Sequence, residues 1–481
     1  MRNKRIRRWA LLLAVLAMFA AACSDDSDDA GDSSADAGDD ADAGDDDADS
    51  GDDADADDDT DADADADDDA DAGDDADAGD DTGDDAAIES LKIGVLLPLT
   101  GFVAGPGEDA QQGLELYFDQ FGDGSTIDVG GVSIEFVLED TGSDPAVALT
   151  SATKLVEVDN VDIIIPGILA STGGAVGDAL GDRDDVLLLS PYSCNDDFTQ
   201  RAPLNAYARP GGWACSQSSH AFGLWAFEEA GFETVATACA DYTFGYEHCG
   251  GFTDAFTNAG GTVNDQIWFP PPTQDFGTYA TQMNGLDVDA IMALSVGGAA
   301  VPFVTAYSEF GIDRNTPMLA GAVTTDQSVL RAMDSSTVLG TISHGHWAEG
   351  ADIPETQAFV ADFEEATGKI ASYYAAANYA AMQWIVATLD LTGGQFSPDL
   401  FLETMKGDMV VNTPFGPQSL DDEGSPILNI YIREVVERED GKLWNVPIFT
   451  YEGVDQYFPF DRDTYLQQPS YTKDFQGEAV G

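Results

Sequence analysis

From residue 91 onward, short runs of consecutive apolar residues alternate with longer stretches whose apolar positions recur every three to four residues. The short runs are typical of strands buried on both faces, and the longer spacing is typical of amphipathic helices. The pattern predicts strands at 91–97, 132–138, 161–165 and 186–189, with helices between them at 109–121, 145–158 and 173–180. This alternation indicates an α/β fold built on a parallel sheet.

A second series of the same kind begins near residue 218. It predicts helices at 218–231, 250–258, 276–284 and 301–310, and strands at 234–238, 267–269, 290–294 and 318–319. Two series of similar size indicate two Rossmann-like lobes, each with a parallel sheet, which agrees with the length of the chain. Beyond residue 340 the pattern predicts helices at 354–367 and 374–391 and a hairpin at 429–449.

The first 22 residues have the pattern of a secretory signal peptide, with five basic residues before Trp9 and an apolar run that ends at Phe19. That run is too short to span a bilayer. The alanines before Cys23 resemble the lipobox of bacterial lipoproteins, although Ala20 stands where that pattern usually has leucine. We therefore expect an extracytoplasmic lipoprotein anchored to the cell membrane through Cys23. The alternative is an ordinary cleaved signal peptide with an incidental cysteine.

Residues 23–87 carry 33 of the 90 acidic residues and no lysine, arginine or aromatic residue. Such a segment cannot bury a core, and its like charges repel, so it should extend beyond the roughly 40–50 Å expected of a flexible coil of this length. We interpret it as a disordered tether. A calcium-binding interpretation lacks the bidentate glutamate of an EF-hand loop.

The rest of the chain keeps 57 acidic and 14 basic residues, a formal charge near −43. Nucleic acid is therefore not an expected partner, because binding to phosphates needs cationic side chains. Such an acidic surface favours solubility in a salty medium.

Four cysteines follow Cys23, at positions 194, 215, 239 and 249. An even number in an exported protein indicates disulfides, and three connectivities are possible. We favour Cys194–Cys215 and Cys239–Cys249, the pairs nearest in sequence. The spacing is not that of a zinc site, and we expect no metal or cofactor.

Eight segments, in this order and spacing, resemble the type I periplasmic-binding-protein fold, and within it the branched-chain amino acid binding proteins of ABC importers. They are 93–101, 139–141, 167–172, 190–191, 240–245, 345–347, 372–375 and 429–431. The resemblance covers about residues 90 to 450. It implies a small-molecule ligand held in a cleft between two lobes, no chemistry on that ligand, and ABC permease subunits as partners.

The resemblance also implies three crossovers between the lobes, which we place near residues 210, 341 and 428. The first lobe then comprises 88–210 and 341–428, and the second comprises 211–340 and 429–460. Residues 461–481 form a C-terminal tail.

Ligands of parallel α/β sheets bind outside the carboxyl ends of the strands. Applied to the predicted strands, this rule gives ten candidate ligand-binding residues. They are Thr100, Ser171, Thr172, Tyr192 and Ser193 in the first lobe, and Tyr242, Phe244, Gly298, Ala322 and Thr324 in the second. Trp347 and Tyr374, near a crossover, are further candidates.

Ser171 and Thr172 precede a glycine pair and a predicted helix, so their hydroxyls and the following N–H groups could hold a ligand carboxylate. This position also matches the carboxylate site of the family. A plain N-cap is the alternative. Tyr192, Tyr242 and Phe244 could cover the apolar part of a ligand, or belong to the core.

The amino-acid-binding relatives pair the ligand ammonium with an acidic residue in the second lobe, but loop 320–324 has none. A buried ammonium without a charge partner is costly. Either Asp241 or Asp326 reaches it, or the ligand has no amine. We expect an amino acid of the branched-chain type or a similar small carboxylate; a sensor of amides or aromatic acids on the same fold is the alternative.

An enzyme is a further alternative, but the chain has no Gly-x-Ser-x-Gly elbow, no His-Glu-x-x-His motif and no phosphate loop. His344 and His346 alternate, so on a strand both could face one side and bind a metal. We favour hydrogen-bonded histidines at a hinge.

Overall fold

The structure is a computed structural model that describes residues 87–477. The chain divides into two units, Met1–Gly79 and Asp80–Gly481. The predicted signal peptide, the lipidation site Cys23 and all of the predicted tether except its last residue lie outside the described residues. Among residues 87–477, no helix has both the length and the apolar character that crossing a membrane requires.

Within the described residues, six strands form the first sheet: β1 (Ser90–Leu97), β2 (Thr126–Val129), β3 (Val132–Asp140), β4 (Ile163–Ile165), β5 (Leu187–Leu189) and β6 (Tyr207–Ala208). Their order is β2-β3-β1-β4-β5-β6, and neighbours are parallel except for the pair β2 and β3. Helices α1 (Ala104–Phe121), α2 (Pro145–Glu157) and α3 (Ala170–Leu180) connect the parallel strands. The chain places β2 and β3 on one side of β1, and then β4 to β6 on the other side. A topological switch point therefore lies at the carboxyl ends of β1 and β4.

The second sheet has nine described strands: β7 (Thr234–Ala240), β8 (Thr262–Phe269), β9 (Ala290–Leu294), β10 (Met318–Ala320), β11 (Ile342–Gly345), β12 (Val411–Thr413), β13 (Gly416–Leu420), β14 (Pro426–Glu437) and β15 (Leu443–Val454). Their order is β12-β13-β14-β11-β10-β9-β7-β8, with β15 paired to β14. The strands from β7 to β11 are parallel, and the others extend the sheet in antiparallel fashion. The α/β fold class with two mostly parallel sheets is thereby confirmed.

Ten further helices accompany these strands in the described chain. They are α4 (Cys215–Glu228), α5 (Thr243–Ala259), α6 (Gly277–Met283), α7 (Ala300–Glu309), α8 (Gln327–Leu330), α9 (Ser335–Val338), α10 (Pro354–Thr367), α11 (Tyr373–Leu391), α12 (Pro398–Lys406) and α13 (Arg462–Tyr465), with short 3₁₀ turns at Asp196–Thr199, Gly297–Ala299 and Ile312–Arg314. Helices α10 and α11 pack on α1. We call the first sheet with α1–α3, α10 and α11 the first lobe, and the second sheet with α4–α9 the second lobe.

The apolar runs become strands buried on both faces. Leu96, Ile164 and Leu188 pack against α2 and α3, whereas Ile163 and Ile165 belong to the core on the opposite face. Successive side chains of a strand point to opposite faces, so an unbroken apolar run supplies both cores at once. This is why the strand positions could be predicted from hydrophobicity alone.

The predicted start of α5 at residue 250 was wrong, because the helix begins at Thr243. Glycines at 245, 250 and 251 disfavour a helix locally. Tertiary packing needs two glycines where α4 and α5 meet: a Cβ at Gly223 would lie 2.3 Å from the carbonyl oxygen of Phe252, and one at Gly251 would lie 3.0 Å from the Cβ of Ser216. Close contact between the helices therefore outweighs the local preference.

The second crossover, which we place near residue 341, stays a prediction, and the structure shows which sheet the neighbouring elements join. Strand β11 pairs with β10 and β14, and so belongs to the second sheet. Helix α10 then packs on the first lobe, where Gln120 donates a 3.0 Å hydrogen bond to Asp362. The other predicted lobe bounds stay a prediction.

Residues 455–477 follow β15 and contact both lobes. On the side of the first lobe, Arg201 donates to the carbonyl oxygens of Tyr465 and Gln468. On the side of the second lobe, the hydroxyl of Tyr471 donates to Asp254 at 2.6 Å. This C-terminal segment therefore spans the boundary between the lobes.

Helices α1 and α11 approach closely at Gly113, where a Cβ would lie 2.2 Å from the carbonyl oxygen of Ala375. Because backbone must shift to relieve that contact, we expect Gly113→Ala to lower the free energy of unfolding by about 1–3 kcal/mol in urea denaturation. Gly105→Ala is the matched control on the same helix, since its Cβ meets nothing closer than 3.5 Å. It should leave stability unchanged or raise it, and an equal loss in both variants would contradict the close packing.

Candidate functional site

The loops at the carboxyl ends of both sheets meet at one pocket. Its lining residues come from the loops after β4, β5, β7, β9 and β10 and from the first turn of α11: Ile168, Leu169, Ala170, Tyr192, Tyr242, Phe244, Val296, Val323, Tyr373 and Tyr374. In the described conformation the pocket is nearly closed, with a cavity volume of about 10 Å³. This aromatic pocket lies where parallel α/β sheets place their ligands.

Aromatic rings from both lobes dominate the walls of the aromatic pocket. The ring centres of Tyr192 and Tyr374 are 6.3 Å apart, and those of Tyr373 and Tyr374 are 4.0 Å apart. On the side of the second lobe, the ring centres of Tyr242 and Phe244 are 6.1 Å apart. Burial raises the pKa of the Tyr192 hydroxyl well above its ordinary value, and that hydroxyl has no hydrogen-bond partner in the described chain.

A second cavity adjoins the aromatic pocket and shares Val323 and Tyr373 with it. Its cavity volume is about 10 Å³ in the described conformation, and its lining residues are Trp213, Ala322, Val323, Gly345, His346, Trp347, Tyr373 and Arg433. We call it the hinge cavity, because Trp213 and residues 346–347 belong to two crossovers. The Trp213 ring lies 5.0 Å from that of His346 and 6.2 Å from that of Tyr373.

Several candidates from the sequence line these two cavities. Tyr192, Tyr242 and Phe244 line the aromatic pocket, together with the further candidate Tyr374. Ala322 and the further candidate Trp347 line the hinge cavity. The structure thus brings together residues from loops that are far apart in the sequence.

Three other candidates make contacts within the protein instead of lining either cavity. Thr100 is exposed, and its hydroxyl donates to Asp140 at 2.7 Å. Ser193 is buried and donates to Asn195 at 2.7 Å. Thr324 accepts from and donates to the backbone of Ser295, at 3.1 Å in each case. These hydrogen bonds hold the loops in their conformation. The three side chains would therefore affect ligand binding through the conformation of the loops.

Ser171 and Thr172 do not cap α3, because the helix begins at Ala170, three residues earlier than predicted. The Thr172 hydroxyl donates to the carbonyl oxygen of Leu169 at 2.9 Å. The glycine pair after Thr172 suggested a later start, but a Cβ at Gly173 would lie only 2.0 Å from the Ser193 hydroxyl. Close packing therefore requires that glycine. Leu169 and Ala170 line the aromatic pocket, so the free N–H groups of the first turn lie at its wall.

Gly298 connects the lobes and is not among the lining residues. Its N–H donates a 3.1 Å hydrogen bond to the carbonyl oxygen of Phe102, in the loop between β1 and α1. Gly298 thus joins the two lobes in the described conformation, and its contact with a ligand stays a prediction.

Neither cavity is lined by a carboxylate from the described residues. Asp241 forms an ion pair with Lys473 and accepts from Tyr246, both at 2.6 Å. Asp326 accepts from the N–H of Ser328 at 2.9 Å and from that of Tyr373 at 3.0 Å. Both acids proposed as partners for a ligand ammonium are thus occupied by protein groups.

The structure joins Cys194 to Cys215 and Cys239 to Cys249, the pairs nearest in sequence. Cys194 follows Tyr192 in the loop after β5, and Cys215 is the first residue of α4. This disulfide therefore links a wall of the aromatic pocket to the second lobe at the first crossover.

The buried histidines near the site are held by packing. Nδ1 of His344 lies 3.0 Å from the Ser218 hydroxyl, and the His248 ring lies 4.4 Å from that of Phe244. Burial lowers the pKa of His248 and of His346 to about 3, so both are neutral at physiological pH. Among residues 87–477, the acidic, cysteine and histidine side chains that cluster closely enough for a metal are Asp196, Cys215 and Glu247, and the sulfur of Cys215 is already in a disulfide.

The lining residues that were not among the candidates from the sequence include Trp213, His346, Tyr373 and Arg433. Two of them carried usable signals. Tyr373 follows the helix-capping Ser372, so it had to lie at a helix start. Arg433 interrupts the apolar run of β14, and a lone charge in a buried strand needs a partner.

A profile of the family described as periplasmic binding protein matches residues 90–442. The chain belongs to this family. Within it, the fold and the relatives place the chain with the type I binding proteins of the branched-chain amino acid class.

Leu/Ile/Val-binding protein homolog 6 of Brucella melitensis is 28% identical over 373 residues, which is 76% of this chain and 93% of that protein. A solute-binding protein of an ABC transporter from Rhodopseudomonas palustris BisB5, in complex with 3,4-dihydroxybenzoic acid, is 26% identical with a TM-score of 0.71. That match covers 77% of this chain and 99% of the other. An R. palustris solute-binding protein in complex with benzoate is 27% identical with a TM-score of 0.67, covering 76% and 97% of the two chains.

The buried neutral histidines predict a loss of stability in acid. Below its ordinary pKa of 6.5, His248 gains a proton on unfolding but not in the folded state, where its pKa is about 3. The free energy of unfolding therefore decreases as the pH falls below 6.5, by up to about 1.4 kcal/mol per pH unit for each such histidine. We expect His248→Phe to reduce the loss of unfolding free energy between pH 7 and pH 5 by about 2 kcal/mol, measured by urea denaturation at each pH.

Tyr279→Phe is the control for this measurement, because Tyr279 lies outside both cavities and the change removes no histidine. It should keep the pH dependence of the unmodified protein. An identical pH dependence for His248→Phe would show that His248 is protonated in the folded state.

Proposed function

We propose that this protein is the solute-binding component of an ABC importer, and that its ligand is an aromatic carboxylate without an amine. Family membership already establishes a small-molecule-binding protein of the ABC-transporter type that works outside the cytoplasm. The observation that carries the ligand proposal is the aromatic pocket, with rings from both lobes and no carboxylate in its lining. The proposal assigns no chemistry on the ligand.

A flat aromatic ring suits these walls. Tyr192 and Tyr374 on one side and Tyr242 and Phe244 on the other can pack against both faces of such a ring. The carboxylate would lie at the start of α3, where Ala170 lines the pocket and the first-turn N–H groups favour negative charge. The unpartnered hydroxyl of Tyr192 is a further donor.

Binding would involve movement of the lobes. The cavity volume of about 10 Å³ in the described conformation is too small for a ligand, so a ligand must enter with the walls further apart. The hydrogen bond from Gly298 to Phe102 would form when the lobes close. The closed form is the one that permease subunits would recognise.

A branched-chain amino acid is the second candidate, favoured by the names of relatives such as Leu/Ile/Val-binding protein homolog 6. Its ammonium group would need a partner, and Asp241 and Asp326 are both occupied. The solute-binding proteins crystallised with 3,4-dihydroxybenzoic acid and with benzoate support the aromatic acid instead. A sensor with the same ligand would use the same pocket.

Titration calorimetry of the purified protein tests the ligand class. We expect benzoate and 4-hydroxybenzoate to bind and leucine not to bind, because the walls offer rings and donors without an anion. Tyr192→Ala should weaken benzoate binding at least about tenfold, since burying a large apolar side chain is worth about 1.5–3 kcal/mol and a tenfold change corresponds to about 1.4 kcal/mol.

Tyr279→Ala is the matched control, because Tyr279 packs on Phe269 and Phe276 outside both cavities. It should leave the affinity unchanged. If leucine binds and benzoate does not, the ligand is an amino acid and not an aromatic acid.

We further propose that the protein is anchored to the membrane by a lipid on Cys23 and extended from it by the acidic tether. The support is the sequence alone: a basic and apolar leader, small residues before Cys23, and 33 aspartates that cannot form a core.

Membrane fractionation of cells tests the anchor. Cys23→Ser should move the protein from the membrane pellet to the soluble or secreted fraction, because the thiol that carries the lipid is removed. Cys194→Ser is the control, since it changes a cysteine of the folded part and should leave the protein in the pellet. Retention of the Cys23→Ser protein on membranes would rule out acylation as the sole anchor.

A further inference from the structure

The hinge cavity contains buried hydrogen-bonding groups that the protein does not satisfy. Nε2 of His346 and Nε1 of Trp347 have no partner in the described chain, although both residues are almost fully buried. Leaving a buried donor unpaired is destabilising. A ligand acceptor would satisfy the indole N–H of Trp347, and also His346 in the tautomer that carries its proton on Nε2.

Arg433 adds a buried positive charge to the same cavity. Its guanidinium donates to the hydroxyl of Ser343 at 3.0 Å and to the carbonyl oxygens of Trp347 and Ala322. A guanidinium has five N–H groups, so two remain for another acceptor. Among residues 87–477, no carboxylate lies within ion-pair distance of Arg433, which is 2% exposed.

Two nearby acids, Glu349 and Asp326, attract Arg433 electrostatically, but neither forms an ion pair with it in the described chain. Asp326 accepts from the N–H groups of Ser328 and Tyr373. Glu349 accepts from Gln327 and Asn445, and burial raises the pKa of its carboxyl group. A buried charge without a paired anion is costly, so an anion from outside the protein is the natural partner for Arg433.

The two cavities are adjacent, because Val323 and Tyr373 line both, and they would join when the walls move apart to admit a ligand. A ring held in the aromatic pocket can therefore carry a substituent that reaches the hinge cavity. The first carboxylate would lie at the start of α3, on the first lobe, and the substituent would point toward the crossovers.

We propose that the ligand is an aromatic acid with a second anionic group, of the benzenedicarboxylate class, and that this second group binds Arg433, His346 and Trp347 in the hinge cavity. The inference rests on the proposed function, since it takes the ring to lie in the aromatic pocket. A cation and unpaired N–H donors select an anion over an apolar or cationic substituent.

Titration of the unmodified protein with three probes tests the inference without relying on a variant. Benzene-1,4-dicarboxylate should bind at least tenfold more tightly than 4-methylbenzoate, because a methyl group leaves the donors and Arg433 unpaired, and benzoate should bind measurably but less tightly than the dicarboxylate. If 4-methylbenzoate binds as tightly as the dicarboxylate, the second anionic group is excluded and the aromatic-acid function stands. If none of the three binds, the proposed function falls as well.

Trp347→Phe is the matching variant, because it keeps an aromatic ring and removes one donor, whereas replacing Arg433 risks the fold. We expect it to weaken benzene-1,4-dicarboxylate several-fold and to leave 4-methylbenzoate unchanged. Trp268→Phe, on β8 beside Tyr246 and outside both cavities, is the control and should change neither affinity. Equal weakening of both probes by Trp347→Phe would show that the indole N–H has no role in recognition and would overturn its place in the site.

Discussion

A parallel strand must be followed by a loop that leaves the sheet, and each sheet of this protein places several such loops along one edge. The two edges meet at the aromatic pocket, so side chains from loops after β4, β5, β7 and β10 have to pack against one another or against a ligand. Aromatic rings serve both purposes, because their flat faces bury a large area with few rotatable bonds. Topology therefore fixes where the site lies, and the loop side chains fix what it accepts.

Much of the fold could be predicted from hydrophobicity, because strands such as β4 and β5 are buried on both faces and leave continuous apolar runs. The failures have a common physical cause. The starts of α3 and α5 contain glycines that disfavour a helix locally, and the need for them is visible only from the neighbouring helix or loop. The two-residue strand β6 is too short to leave any pattern, and it forms because it pairs with β5.

The candidate site was predictable only in part. Tyr192, Tyr242 and Phe244 could be found because they directly follow strands, and the strand-end rule is geometric. Polar candidates such as Ser193 and Thr324 met the same rule but turned their hydroxyls to neighbouring backbone or side-chain groups. Trp213 and Arg433 reach the site from a crossover and from a strand of the antiparallel extension, and no rule about parallel strands could have indicated them.

The C-terminal segment, residues 455–477, contacts both lobes. It lies beyond residue 442, where the family match ends. Its bonds to Arg201 and Asp254 lie on the same side as the Cys194–Cys215 bridge, since the hydroxyls of Ser216 and Tyr465 are 3.4 Å apart there. Contacts on one side of the lobes restrict their separation on that side. Any separation of the lobes on this side would have to break these hydrogen bonds, so the C-terminal segment limits how the lobes can move apart there.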